Sequence, residues 1–150
     1  MGIEETIIDA TKDIFSNMVM LGATPGTSFE RADEPLIDSV SGMISLEGKY
    51  NGLLAIHLPT SSALEVGGSF IDLDLEEVDA DVLDAIGELA NMLAGNIKAT
   101  LDPAGSDIQL SIPSTLHGAE YMVEKIAGAS SICIPFYLDN GDFLVELQLK

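Results

Sequence analysis

The chain has 150 residues, 47% of them hydrophobic, which suits one domain (1–150) with a real core rather than two. Its 25 Asp and Glu against 6 Lys and Arg give a formal charge of -19, which repels nucleic-acid phosphates and anionic membrane surfaces. No apolar run reaches the roughly 18 residues that cross a bilayer, and "MGIEETIIDATK" is acidic where a signal peptide is basic, so the chain reads as cytoplasmic.

Residues 3 to about 20 place Ile3, Ile7, Ile14 and Met18 on one stripe with Phe15 beside it, a first amphipathic helix. "GATPGTSFERADEPL" has Gly, Pro and charge without periodicity and is expected to be a connecting loop. From Asp38 to Pro59, "DSVSGMISLEG" and "LLAIHLP" flank the turn formers "GKYNG", which predicts a β-hairpin. "TSSALEVGGSF" offers Thr60 or Ser61 as a cap for a short helix interrupted at Gly67-Gly68.

A long helix is expected from near Glu76 to about Leu101, before Pro103. Four strand-like runs follow: "DIQLSIP", "AEYMVEKI", "SSICIPFYL" and "FLVELQLK", the last two joined through Asn140-Gly141, a hairpin signal. Helices and strands segregated in this way predict an α+β domain, an antiparallel β-sheet with helices packed on one face.

The lone Cys133, in an apolar run, reads as a small buried hydrophobe. His57 falls in a strand run and His117 in a turn, and isolated histidines are more often structural than catalytic. Neither the histidines nor the carboxylates show metal-ligand spacing, so no metal site is expected. The terminal "DFLVELQLK" is apolar enough at Phe143, Val145, Leu147 and Leu149 to be a pairing edge, although alternation fits an ordinary half-buried strand equally well.

In the long helix, "DAIGELANMLAGNIK" repeats Asp84, Glu88, Asn91, Gly95 and Lys98 every three or four positions. At about 100° per residue all five lie within about 40° of Asp84, while Val82, Ile86, Leu89, Leu93 and Ile97 gather within about 40° of the opposite side. An ordinary solvated face has the same pattern. Two residues fit that reading poorly: Asn91 is a mediocre helix former, and Gly95 costs about 1 kcal/mol relative to Ala. A glycine on an exposed stripe is what a closely approaching partner needs.

Asp84, Glu88 and Asn91, followed after twenty-one intervening residues by Pro113, resemble the signature of the CheC, CheX and FliY chemotaxis phosphatases, as does "PSTLHG" after it. The pattern occurs once, which resembles CheX more than a two-site CheC protein. The resemblance implies a CheC/CheX-like α+β fold and an aspartyl-phosphate phosphatase acting on the phosphorylated response regulator CheY. It implies catalytic roles for Asn91, orienting the attacking water, and for Glu88, meeting the receiver's lysine. Asp84, Gly95 and Lys98 would be partner-binding, with no cofactor of its own, Mg²⁺ held by the receiver, and a homodimer formed through the sheet. The sequence leaves a second reading open, a noncatalytic receiver-binding or flagellar adaptor module. Pro113 is expected to end a strand and fix the following turn rather than act in chemistry.

Overall fold

A computed structural model describes residues 2–150. The chain runs α1 (Ile3–Ile14), a π-helical turn (Phe15–Val19), β1 (Thr24–Pro25), β2 (Leu36–Gly48), β3 (Gly52–Pro59), α2 (Thr60–Ile71) and α3 (Ala80–Leu101). It continues with β4 (Ile108–Leu110), β5 (Ser114–Tyr121), β6 (Ser130–Leu138) and β7 (Gly141–Leu149). The strands form one antiparallel sheet in the order β1-β6-β7-β3-β2-β4, with β5 also paired to β2. The 13-residue β2 is long enough to pair β3 along one side and both β4 and β5 along the other.

Strand alternation sorts the sheet into two faces. Val40 and Ile44 of β2, Leu54, Ile56 and Leu58 of β3, and Val145 and Leu147 of β7 are buried, and they form one cluster with Ile7, Ile14, Val66, Ile86, Leu89, Leu93 and Ile97 of the helices. Burying each such side chain contributes about 1.5–3 kcal/mol relative to exposure. Phe15 stacks on Phe143 at 4.6 Å between centroids, and Phe143 on Phe136 at 5.3 Å, which ties the end of α1 to the sheet. Helix α3 lies close over β2 because Gly42 has no side chain: a Cβ there would stand 2.8 Å from the Ile86 carbonyl oxygen. The sheet with helices on one face is the architecture expected from the sequence.

The opposite face carries a buried polar chain. The Arg31 Nε and the His57 Nε2 both donate to Glu146 Oε1, at 3.2 and 2.9 Å. The His57 Nδ1 lies 2.6 Å from Ser41 Oγ, which lies 2.8 Å from the Tyr121 hydroxyl. Donors can run in one direction along it, from Tyr121 to Ser41, from Ser41 to His57, and from His57 to Glu146. Arg31 also donates to the Val123 and Glu34 carbonyls, so the long loop before β2 is pinned across this face.

Several boundaries differ from the sequence expectation. Helix α3 starts at Ala80, not Glu76, because the Asp79 carboxylate caps it by accepting from the backbone N–H groups of Asp81 and Val82, at 3.0 and 3.2 Å. Helix α2 is not interrupted at Gly67-Gly68; it continues to Ile71 and ends on Asp72 in the left-handed region, whose N–H reaches the Gly68 carbonyl. "AEYMVEKI" is not the second strand: β5 spans Ser114–Tyr121, which places His117 on a strand rather than in a turn, because β2 provides backbone partners there. The strand before Pro113 also ends earlier, at Leu110. The hairpin after β6 turns on Asp139-Asn140, with Gly141 already in β7. Finally, β7 is no pairing edge, since it lies between β3 and β6 with both sides occupied.

Candidate functional site

Helix α3 divides its residues between core and solvent as the wheel predicts. Val82, Ile86, Leu89, Leu93 and Ile97 are at most 1% exposed. On the opposite side Asp84, Glu88 and Gly95 are exposed, and Asn91 and Lys98 are half-buried. Among the described residues, the side chains of Asp84, Glu88, Asn91 and Lys98 have no hydrogen-bond or ion-pair partner. Polar side chains on a rigid helix with no partner within the molecule are free to meet one from outside.

Gly95 lies in open space, with nothing within 4 Å of where a Cβ would stand. Lys98 is in the last turn of α3, where the Asp102 N–H donates to its carbonyl at 2.7 Å. Burial opposes ionisation of Asp102, but backbone N–H donors from Ile108, Asp107 and Gly105, together with the positive charge of Lys98, hold its carboxyl below the ordinary value. Lys98 therefore also serves the helix terminus, a structural role beside the partner-binding one expected from the sequence.

Pro113 comes to the flank of the stripe. A Cβ built on Gly87 would meet the Pro113 Cβ at 3.4 Å and the Thr115 Cγ2 at 3.5 Å. The cleft between α3 and the β4–β5 turn, about 320 Å³, is lined by Leu83, Asp84, Gly87, Glu88, Pro113 and Thr115. The turn is braced by Ser111, whose Oγ accepts from the Ser45 N–H at 2.9 Å and whose N–H donates to the Ser45 carbonyl at 3.0 Å. Sequence reasoning missed Gly87, Leu83 and Thr115, and kept Pro113 as a strand terminator. Only the spaced proline hinted that a second segment joins the helix.

Elsewhere, Cys133 is fully buried, and burial together with the Glu146 charge pushes its thiol up to about 12, so it is unsuited to nucleophilic chemistry. His57 belongs to the buried chain behind the sheet, away from the stripe. Sequence reasoning did not foresee that chain, although a His and a Glu inside the apolar runs "LLAIHLP" and "FLVELQLK" were its signal. Among the described residues, no three His, Cys, Asp or Glu side chains are grouped to hold a metal ion, and no helix is long and apolar enough to cross a membrane.

Residues 40–137 match the family model described as "Chemotaxis phosphatase CheX". A curated relative from Thermotoga maritima, named CheY-P phosphatase CheX, is 25% identical over 113 residues, covering 75% of this chain and 72% of its own. The crystal structure of a chemotaxis protein CheX from Desulfovibrio desulfuricans is similar with a TM-score of 0.88 at 26% identity, covering 100% of both chains. The CheX-CheY-BeF3-Mg+2 complex from Borrelia burgdorferi contains a chain similar in fold, with a TM-score of 0.85 at 22% identity, covering 99% of this chain and 98% of that one.

Proposed function

Because the chain belongs to the chemotaxis phosphatase CheX family, we propose that it hydrolyses the aspartyl phosphate of a CheY-type receiver by presenting the exposed face of α3 to the receiver's active site. The observation that carries this reading is the pair Glu88 and Asn91, about one turn apart on a rigid helix, facing away from the core and, among the described residues, without hydrogen-bond or ion-pair partners.

An acyl phosphate is already activated, so the phosphatase needs neither a nucleophile nor a metal of its own; positioning is what it adds. Water attacks the phosphorus as the bond to the aspartyl oxygen breaks, releasing orthophosphate and the free carboxylate. The Asn91 carboxamide both accepts and donates hydrogen bonds and has no charge to repel phosphoryl oxygens, so it can orient that water. Glu88 pairs with the receiver's lysine and places the helix over the phosphorylated residue. Asp84 and Lys98 flank this contact, Gly95 leaves room for the receiver's backbone, and Mg²⁺ belongs to the receiver. The relative from Borrelia burgdorferi was crystallised with CheY, BeF3 and Mg²⁺, which supports this division of parts.

The test is phosphate release from a phosphorylated CheY receiver in the presence of the purified protein. Acceleration over receiver autohydrolysis is expected; an unchanged rate would overturn the reading, and binding without acceleration would identify a receiver-binding adaptor instead. We also infer a homodimer that does not pair through the edges of β7, since both are occupied by β3 and β6; the mass in solution tests it.

A further inference from the structure

We propose that Gly87 is a clearance residue for docking: its missing side chain sets the depth of the cleft between α3 and the β4–β5 turn, into which the receiver side chain that meets Glu88 enters. The inference rests on the receiver-docking reading above.

Nothing in the fold calls for a glycine at position 87. It sits inside a 22-residue helix, where glycine is markedly worse than alanine, and its backbone is not left-handed. Sterics do not require it either. A Cβ would meet Pro113 and Thr115 at 3.4 and 3.5 Å, ordinary contact distances, and nothing else within 4 Å. Gly42 shows the other case, since a Cβ there would press on the Ile86 backbone oxygen at 2.8 Å. The folded chain thus has no need for glycine at 87, and alanine there would pack better.

What the glycine keeps open is the space beside Glu88. The cleft's lining combines the carboxylates of Asp84 and Glu88 with apolar surface from Leu83, Pro113 and the Thr115 methyl. That surface fits a long basic side chain, whose ammonium meets the carboxylates while its aliphatic stem lies on the apolar part. A methyl on Gly87 would occupy the space where that stem passes.

The experiment compares Gly87→Ala with the parent and with Gly67→Ala. Gly67 is a helical glycine turned to the interior, where a Cβ would meet Ala85 and Leu75 at 3.7 Å. Thermal unfolding and the KM and kcat for a phosphorylated CheY receiver are measured for all three. Both variants should raise Tm by about 2–4 °C. Only Gly87→Ala should raise KM, by about tenfold, with kcat at saturation changed less than about twofold. A higher Tm with KM unchanged would overturn the inference, and so would an equal KM rise in Gly67→Ala. A lower Tm for Gly87→Ala would also overturn it, by showing that the glycine is required sterically. If the parent itself gives no acceleration, the docking reading fails and this inference with it; if the parent is active, only the clearance role is at stake.

Discussion

Pro113 packs against Gly87, near enough that a methyl on the glycine would stand 3.4 Å from the proline's Cβ. This contact joins a turn at the sheet edge to the middle of α3, and it gives the exposed stripe a wall. Without it Asp84 and Glu88 would stand on a bare helix; with it they line a cleft. The consequences can be tested residue by residue.

Asn91→Ala should lower kcat for phosphate release by about 100-fold, the scale on which loss of one positioning group acts. Affinity for a receiver loaded with beryllofluoride and Mg²⁺ should change less than about threefold, because the amide acts on water rather than on docking. Stopped-flow phosphate release and calorimetry separate the two, and a variant that keeps its rate would remove Asn91 from the mechanism.

Glu88→Gln keeps the shape and removes the charge. Its KM should rise by about tenfold, and the salt dependence of KM should flatten, since a screened carboxylate–ammonium attraction is what salt weakens. Rates between about 50 and 300 mM salt provide the measurement. An identical salt slope in parent and variant would exclude an ionic role for Glu88.

Gly95 has open space where its Cβ would be. Gly95→Ala should therefore stabilise the fold by about 1 kcal/mol, and Gly95→Phe should fold normally yet dock poorly. Thermal unfolding alongside receiver binding tests both. Full receiver affinity in Gly95→Phe would show that no partner approaches there.

Behind the sheet, burial opposes ionisation of Glu146, but the hydrogen bond from His57 and the Arg31 guanidinium outweigh it and hold the carboxyl below its ordinary value of 4.5. A depressed folded value means that the unfolded chain binds the proton first as acid is added. The stabilisation is thus complete above about pH 5 and is lost as pH falls through the folded value. Tm should decline more steeply below pH 4.5 in the parent than in Glu146→Gln. At neutral pH that variant should be destabilised by about 3 kcal/mol or more, because Arg31 keeps its charge in a buried place. Equal acid profiles would rule the network out as a source of the pH dependence.

Elements written in local periodicity were legible. The core face of α3, the β2–β3 hairpin and the β6–β7 hairpin each repeat within a few residues, and short-range sterics and burial decide them. The start of α3 was misplaced because one carboxylate, Asp79, cut off a run that is helix-compatible from Glu76 onward. Strand β5 was misplaced because its pairing partner, β2, is remote in the chain. The exposed stripe was legible for the same reason as the core face, being its complement on the wheel.

By itself, the sequence determined which side of α3 faces solvent, what that side carries, and the fold class, because hydrophobic burial acts on a repeat that is visible in the chain. Only the tertiary structure decided that Pro113 and Thr115 stand beside Gly87 and make a cleft of the stripe. Only it decided that β7 is an interior strand, and that Arg31, Ser41, His57 and Glu146 share one buried chain. Those outcomes depend on strand order and on close backbone approaches between distant segments, and such contacts arise from packing the whole sheet rather than from any local preference.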